Sequence, residues 1–171
     1  MRRATGPRQG MTRLLATIFL LLAPAAGLQA AQALAFWYAD DPPLDELAQF
    51  DRIVVEPEHF DAHALERLQQ DGRIVHAYVS VGELHPGRRD ADQVPTGWRL
   101  GRNAAWDSSV MDLASKDWRD YLFEHRFRPL WQAGYRGFFL DTLDSHRQFA
   151  RSDAERAAQE AGLVALIERL H

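Results

Sequence analysis

Apolar residues along this chain follow two alternating patterns: short, nearly continuous runs, and stretches where they recur every three or four positions. The first pattern predicts buried strands and the second predicts helices with one apolar face. Leu34 to Ala39 reads as a strand closed by Asp40-Asp41-Pro42-Pro43, and Leu44 to Phe50 as a short helix with Leu44, Leu47 and Ala48 on one face. Arg52 to Pro57 predicts a second strand, stopped by its proline. Asp61 is placed to cap a helix running through Gln70, which Asp71-Gly72 ends. Arg73 to Ser80 predicts a third strand, and Ser109 to Leu113 a shorter fourth. Ser115 is a cap for a helix that carries Trp118, Tyr121 and Leu122 on one side and ends near Gly134, so Trp118 and Trp131 read as core. Gly137 to Leu140 is a fifth strand, which stops abruptly at Asp141, with Asp144 close behind. Ser152 opens a last helix with Ala157, Ala161, Val164 and Ile167 at helical spacing.

Alternation of strand and helix argues for an α/β fold of parallel βαβ units, here about five. Strands buried on both faces read as continuous apolar runs, as Gly137 to Leu140 does. The segment from Leu84 to Ala105, rich in Gly, Pro, Arg and Asp, reads as a long loop after the third strand.

The N-terminal 33 residues follow another logic. Met1 to Arg13 holds four arginines and no acidic residue, Leu14 to Leu22 is apolar, and Ala31-Gln32-Ala33 matches a small-residue cleavage site. These features predict a secretory signal peptide over residues 1–33, cut after Ala33 or alternatively after Ala30. Its apolar run is shorter than the ~20 residues of a membrane span. Residues 34–171 are then one exported domain, periplasmic or secreted, with no stable membrane span. Removing four arginines and no carboxylate takes the net charge from −4 to −8. That charge argues against nucleic acid and anionic membrane as partners and favours a cationic ligand. With no cysteine, a disulfide framework is excluded and stability must come from a core.

Carboxylates cluster where strands end. Asp40 follows the first strand, Glu56 closes the second, Glu83 follows the third, Asp112 lies in the fourth, and Asp141 with Asp144 closes the fifth. The outgoing ends of parallel strands are where α/β folds place their chemistry. Carboxylates gathered on one rim repel, which lets one hold a proton while another stays ionised, the pair that glycoside hydrolysis requires. Asp141 has the first claim to a catalytic role, because it directly ends the buried run. Glu83 follows a glycine that permits a sharp turn, Asp144 could equally cap the next turn, and Glu56 could be a rim or an exposed turn residue. Tyr38, Tyr78 and Trp106 fall near the same rim, where they could stack on sugar rings or pack the core. His59 and His63 stand four apart without a supporting carboxylate pattern, so no metal site and no cofactor is read here.

Four segments in order resemble glycoside hydrolase family 114, the endo-α-1,4-polygalactosaminidases. They are Phe36 to Ala39, Ala77 to Glu83, Val110 to Leu113 and Gly134 to Asp144. The resemblance implies a (β/α)₈ TIM-barrel type fold, present here as an N-terminal part, and cleavage of α-1,4 linkages in a cationic galactosamine-rich polysaccharide. It maps the family's strand-end aspartate onto Asp141, and the rim reading makes Tyr38, Glu56, Tyr78, Glu83, Trp106, Asp112 and Asp144 the candidates for substrate binding. It also implies contact with exopolysaccharide secretion machinery. Such a barrel needs about 200 residues or more, so five strands are expected to form a truncated domain whose second catalytic carboxylate, a glutamate in the family, has no counterpart. The alternative is a non-catalytic carbohydrate-binding or biosynthesis-accessory protein.

Overall fold

The computed structural model describes residues 32–171. Of the signal expected over residues 1–33, only Gln32 and Ala33 fall within them. Strands β1 (Leu34–Trp37), β2 (Arg52–Val55) and β3 (Ile74–Ser80) alternate with helices α1 (Leu44–Leu47) and α2 (Ala62–Gln69). Two short strands, β4 (Glu83–Leu84) and β5 (Arg99–Asn103), precede β6 (Ser108–Met111). Helices α3 (Lys116–Leu122) and α4 (Arg128–Gln132), joined by one π-helical turn, lead to β7 (Gly137–Asp141), and α5 (Asp153–Leu170) follows.

Four strands form a parallel sheet in the order β1-β2-β3-β7. Its register aligns Trp37, Val55, Ala77 and Phe138 in one row and Tyr78 with Phe139 in another. Residues in register share a face. One face, with Ile53, Val55, Val75 and Ala77, packs on Leu47 of α1 and on Leu65 and Leu68 of α2. The other presents Leu34, Phe36, Ile74 and Phe139, each 36–48% exposed. A second buried cluster joins Val79 and Val81 to Met111, Trp118, Leu122, Phe127 and Leu166.

The predicted caps are the ones that form. Asp61 accepts from the Ala64 amide at 2.7 Å and Ser115 from the Trp118 amide at 3.4 Å. Ser152 accepts from the Glu155 amide at 3.1 Å. Each satisfies an amide that the first helical turn would leave bare.

Four expectations need correction. The segment read as a fourth parallel strand is β6, which lies in a separate antiparallel sheet of order β4-β6-β5. The parallel sheet therefore has four described strands rather than five. The supposed long loop supplies β5, which alternation could not reveal because Gly101 and two arginines break its apolar pattern. On α5 the expected face is exposed at Ala157, Ala161 and Val164, while Gln159, Gly162 and Leu166 are buried. Trp131, read as core, is 51% exposed beneath the Arg136 guanidinium.

Candidate active site

Asp141 ends β7, and its neighbour in the sheet supplies its partner. Tyr78 projects from β3 on the same face, and its hydroxyl donates to Asp141 Oδ2 at 2.6 Å. The Tyr78 ring is held between Tyr38, 5.0 Å away centroid to centroid, and Phe139, stacked at 6.4 Å. Burial, the bond to Asp141 and that carboxylate's charge push the Tyr78 phenol well above its ordinary pKa. Burial and the charges of Asp141 and Glu56 raise Tyr38 as well. Both phenols therefore keep their protons at neutral pH. Among the described residues Asp141 Oδ1 accepts no hydrogen bond, which leaves it open to a cleft of about 1010 Å³.

The other acids of the cleft are committed to different degrees. Glu56 takes both arms of Arg88, at 2.8 and 2.6 Å, and the same guanidinium reaches Glu58 at 3.1 Å. Bonding to Glu56 raises the Arg88 pKa, so this is a fixed, charge-neutralised pair rather than a free rim carboxylate. Glu83 is 8% exposed and accepts from Asn103 at 3.0 Å, from Ser145 at 2.5 Å and from Ser108. Burial pushes its pKa up, but the three donors outweigh that effect and hold the carboxyl below its ordinary range. Asp144 lines the cleft, and among the described residues its side chain has no hydrogen-bond partner.

Trp106 stands at the tip of the β5–β6 hairpin, 74% exposed, on the wall of the same cleft. Aromatic side chains are frequent linings of ligand clefts. The structure therefore brings Tyr38, Glu56, Tyr78, Glu83, Trp106, Asp141 and Asp144 together. Asp112 is the exception. It follows an antiparallel strand, lies outside the cleft, and accepts from the Ala114 amide at 3.0 Å and from Gln159 at 2.6 Å.

Sequence reasoning missed Arg88, Asn103 and Ser145. Arg88 lies in the segment read as a long loop, where no pattern singles it out. Asn103 and Ser145 are small polar residues whose importance comes only from meeting Glu83. Among the described residues no group of three His, Asp or Glu side chains is placed to hold a metal ion.

Comparison with known proteins narrows the chemistry of this cleft. The profile of glycoside-hydrolase family GH114 matches residues 21–171. The chain belongs to this family. The glycoside hydrolase domain of PelA from Pseudomonas aeruginosa is 40% identical, with a TM-score of 0.72, over 81% of this chain and 55% of that one. This GH114 chain thus spans about half the length of that solved domain. Ega3 from Aspergillus fumigatus, solved in complex with galactosamine, matches at 18% identity and a TM-score of 0.63, covering 81% of this chain and 53% of its own. An α-galactosidase from Thermus thermophilus matches at 16% identity and a TM-score of 0.56 over 82% of this chain and 36% of that one. The last two likenesses bear on the fold alone. Together these matches identify the parallel sheet and its helices as an arc of the (β/α)₈ barrel type. No curated protein sequence matches the chain.

Proposed function

We propose that this GH114 chain carries one side of a glycosidase cleft that acts outside the cytoplasm on α-1,4 linkages of a cationic, galactosamine-rich exopolysaccharide. The observation that carries the reading is Asp141: a carboxylate at the outgoing end of a parallel strand, held on one oxygen by a phenol and free on the other. A carboxylate so held is placed to stabilise developing positive charge at an anomeric carbon, while Tyr38, Tyr78 and Trp106 give sugar rings aromatic faces. Asp144, without a side-chain partner among the described residues, is free to meet an ammonium group. The net charge of −8 expected after signal removal supports a cationic sugar. Glu56 and Glu83 act on the cleft's shape, since their charges are already met.

A second reading is favoured by that same commitment of charges. With Glu56 paired and Glu83 saturated, Asp141 and Asp144 are the strand-end carboxylates of the cleft left for chemistry, so a binding module without turnover is the competing function. Release of reducing ends from partly deacetylated α-1,4-galactosaminan decides between them. Hydrolysis that disappears with Asp141→Asn supports the enzyme, whereas cleavage surviving that change removes Asp141 from the mechanism. Affinity for the polymer without any release supports the binding module.

A further inference from the structure

The residue after Asp141 has a backbone conformation that its own side chain disfavours. Thr142 sits at φ 60°, in the left-handed region, where a branched Cβ crowds the chain and glycine or asparagine is usual. Such a conformation persists only where the surroundings over-determine it. Here they do. The Gly82 amide donates to Thr142 Oγ1 at 2.9 Å, Thr142 Oγ1 lies 2.8 Å from Ser80 Oγ, and Ser80 Oγ donates to the Glu83 carbonyl at 2.9 Å. Thr142 Oγ1 carries one proton, which it shares between two acceptors within reach, Ser80 Oγ and the Asp141 carbonyl. Thr142 Oγ1 donates to the Asp141 carbonyl at 2.6 Å, and that carbonyl also accepts from the Val81 amide at 3.1 Å. The backbones meet as closely, for a Cβ added at Gly82 would stand 2.1 Å from the Thr142 carbonyl oxygen.

None of these bonds touches the Asp141 carboxylate. They fix instead the direction in which the chain leaves β7. We propose that Thr142 is a positioning residue: locked in a strained backbone against the Ser80–Glu83 turn, it aims the Asp141 carboxylate at Tyr78 and into the cleft. The same lock carries Ser145 to Glu83 and Asp144 to the cleft wall. This inference rests on the hydrolytic reading given above and names what holds its central carboxylate.

The test compares Thr142→Ser, which keeps the hydroxyl, with Thr142→Val, which replaces it by a methyl group of similar size. On galactosamine oligosaccharides, Thr142→Val is expected to lower kcat about 10- to 100-fold with KM nearly unchanged, and Thr142→Ser to retain most of the rate. A cooperative melt followed by circular dichroism excludes unfolding as the cause. If Thr142→Val does not fold, Thr142→Ala takes its place, removing the hydroxyl without adding bulk. Crystal structures of the wild-type chain and the hydroxyl-free variant read the geometry without turnover, and loss of the Tyr78–Asp141 bond in the variant is the expected result. Equal kcat in wild type and variant, or an unmoved Asp141 carboxylate, overturns the proposal. Absence of hydrolysis by the wild type refutes the proposed reaction instead, and the crystal comparison then decides the role of Thr142.

Discussion

The acidic side chains of the cleft share a charge but meet very different surroundings, and Glu83 is the most constrained of them. Its three donors come from β5, from β6 and from the turn after β7, so one carboxylate joins the antiparallel sheet to the parallel one. Because its folded pKa is depressed, the ionised form stabilises the fold above the ordinary carboxylate range, and that contribution is lost as pH falls below about 4. Glu83→Gln is expected to cost about 1–3 kcal/mol at neutral pH, because an amide cannot accept all three donors. It should also flatten the acid limb of the stability profile. Urea denaturation at neutral and acid pH measures both, and an unchanged acid limb would falsify the role given to Glu83. Glu83 is a candidate in the sequence and lines the cleft in the fold, yet its saturation is illegible in the sequence, since Asn103, Ser108 and Ser145 are scattered through segments with no pattern of their own.

At the scale of elements, α5 separates what spacing can show from what it cannot. Its extent and its Ser152 cap follow from local chemistry, but the face it buries does not. Gln159 reaches across to the Leu113 amide at 2.8 Å, and Gly162 lets the helix approach so closely that a Cβ would fall 2.0 Å from the Leu113 carbonyl. Replacing glycine by alanine inside a helix ordinarily stabilises by roughly 0.5–1 kcal/mol. Here the overpacking penalty of about 1–3 kcal/mol is larger and reverses the sign. Gly162→Ala is therefore expected to lower the melting temperature, and a rise would show that α5 does not dock as described. The strands divide in the same way. β1, β2, β3 and β7 are apolar runs between clear stops, and they formed close to their expected limits. β6 looks the same locally, and its antiparallel pairing depends on β4 and β5, which have no comparable signal.

For the whole molecule, the partly exposed face of the parallel sheet is, among the described residues, the feature with the widest consequence. Leu34, Phe36, Ile74 and Phe139 leave apolar surface exposed on this face, with the Phe36 and Phe139 rings in edge contact at 5.3 Å. Exposed patches of this kind bind other apolar surfaces. The folded chain is expected to enhance the fluorescence of an apolar dye such as anilinonaphthalene sulfonate before any denaturant is added, and Phe139→Ser to reduce that signal. An equal signal from both proteins would place the dye elsewhere. Capture of a cationic polymer by the cleft should weaken as salt rises, because screening acts within about 10 Å at 0.1 M.

Local chemistry along the chain determined the α/β class, most strand and helix limits, three helix caps and the candidacy of Asp141, because each depends on residues within a turn or two of one another. Tertiary structure alone decided that Glu56 is neutralised by Arg88, that Glu83 is saturated, that Asp112 leaves the cleft and that Thr142 is held in strain. Those outcomes depend on contacts between residues as many as 62 positions apart, as between Glu83 and Ser145. A carboxylate's type is written in the sequence. Whether its charge is free to act depends on what the fold brings within about 3 Å of it.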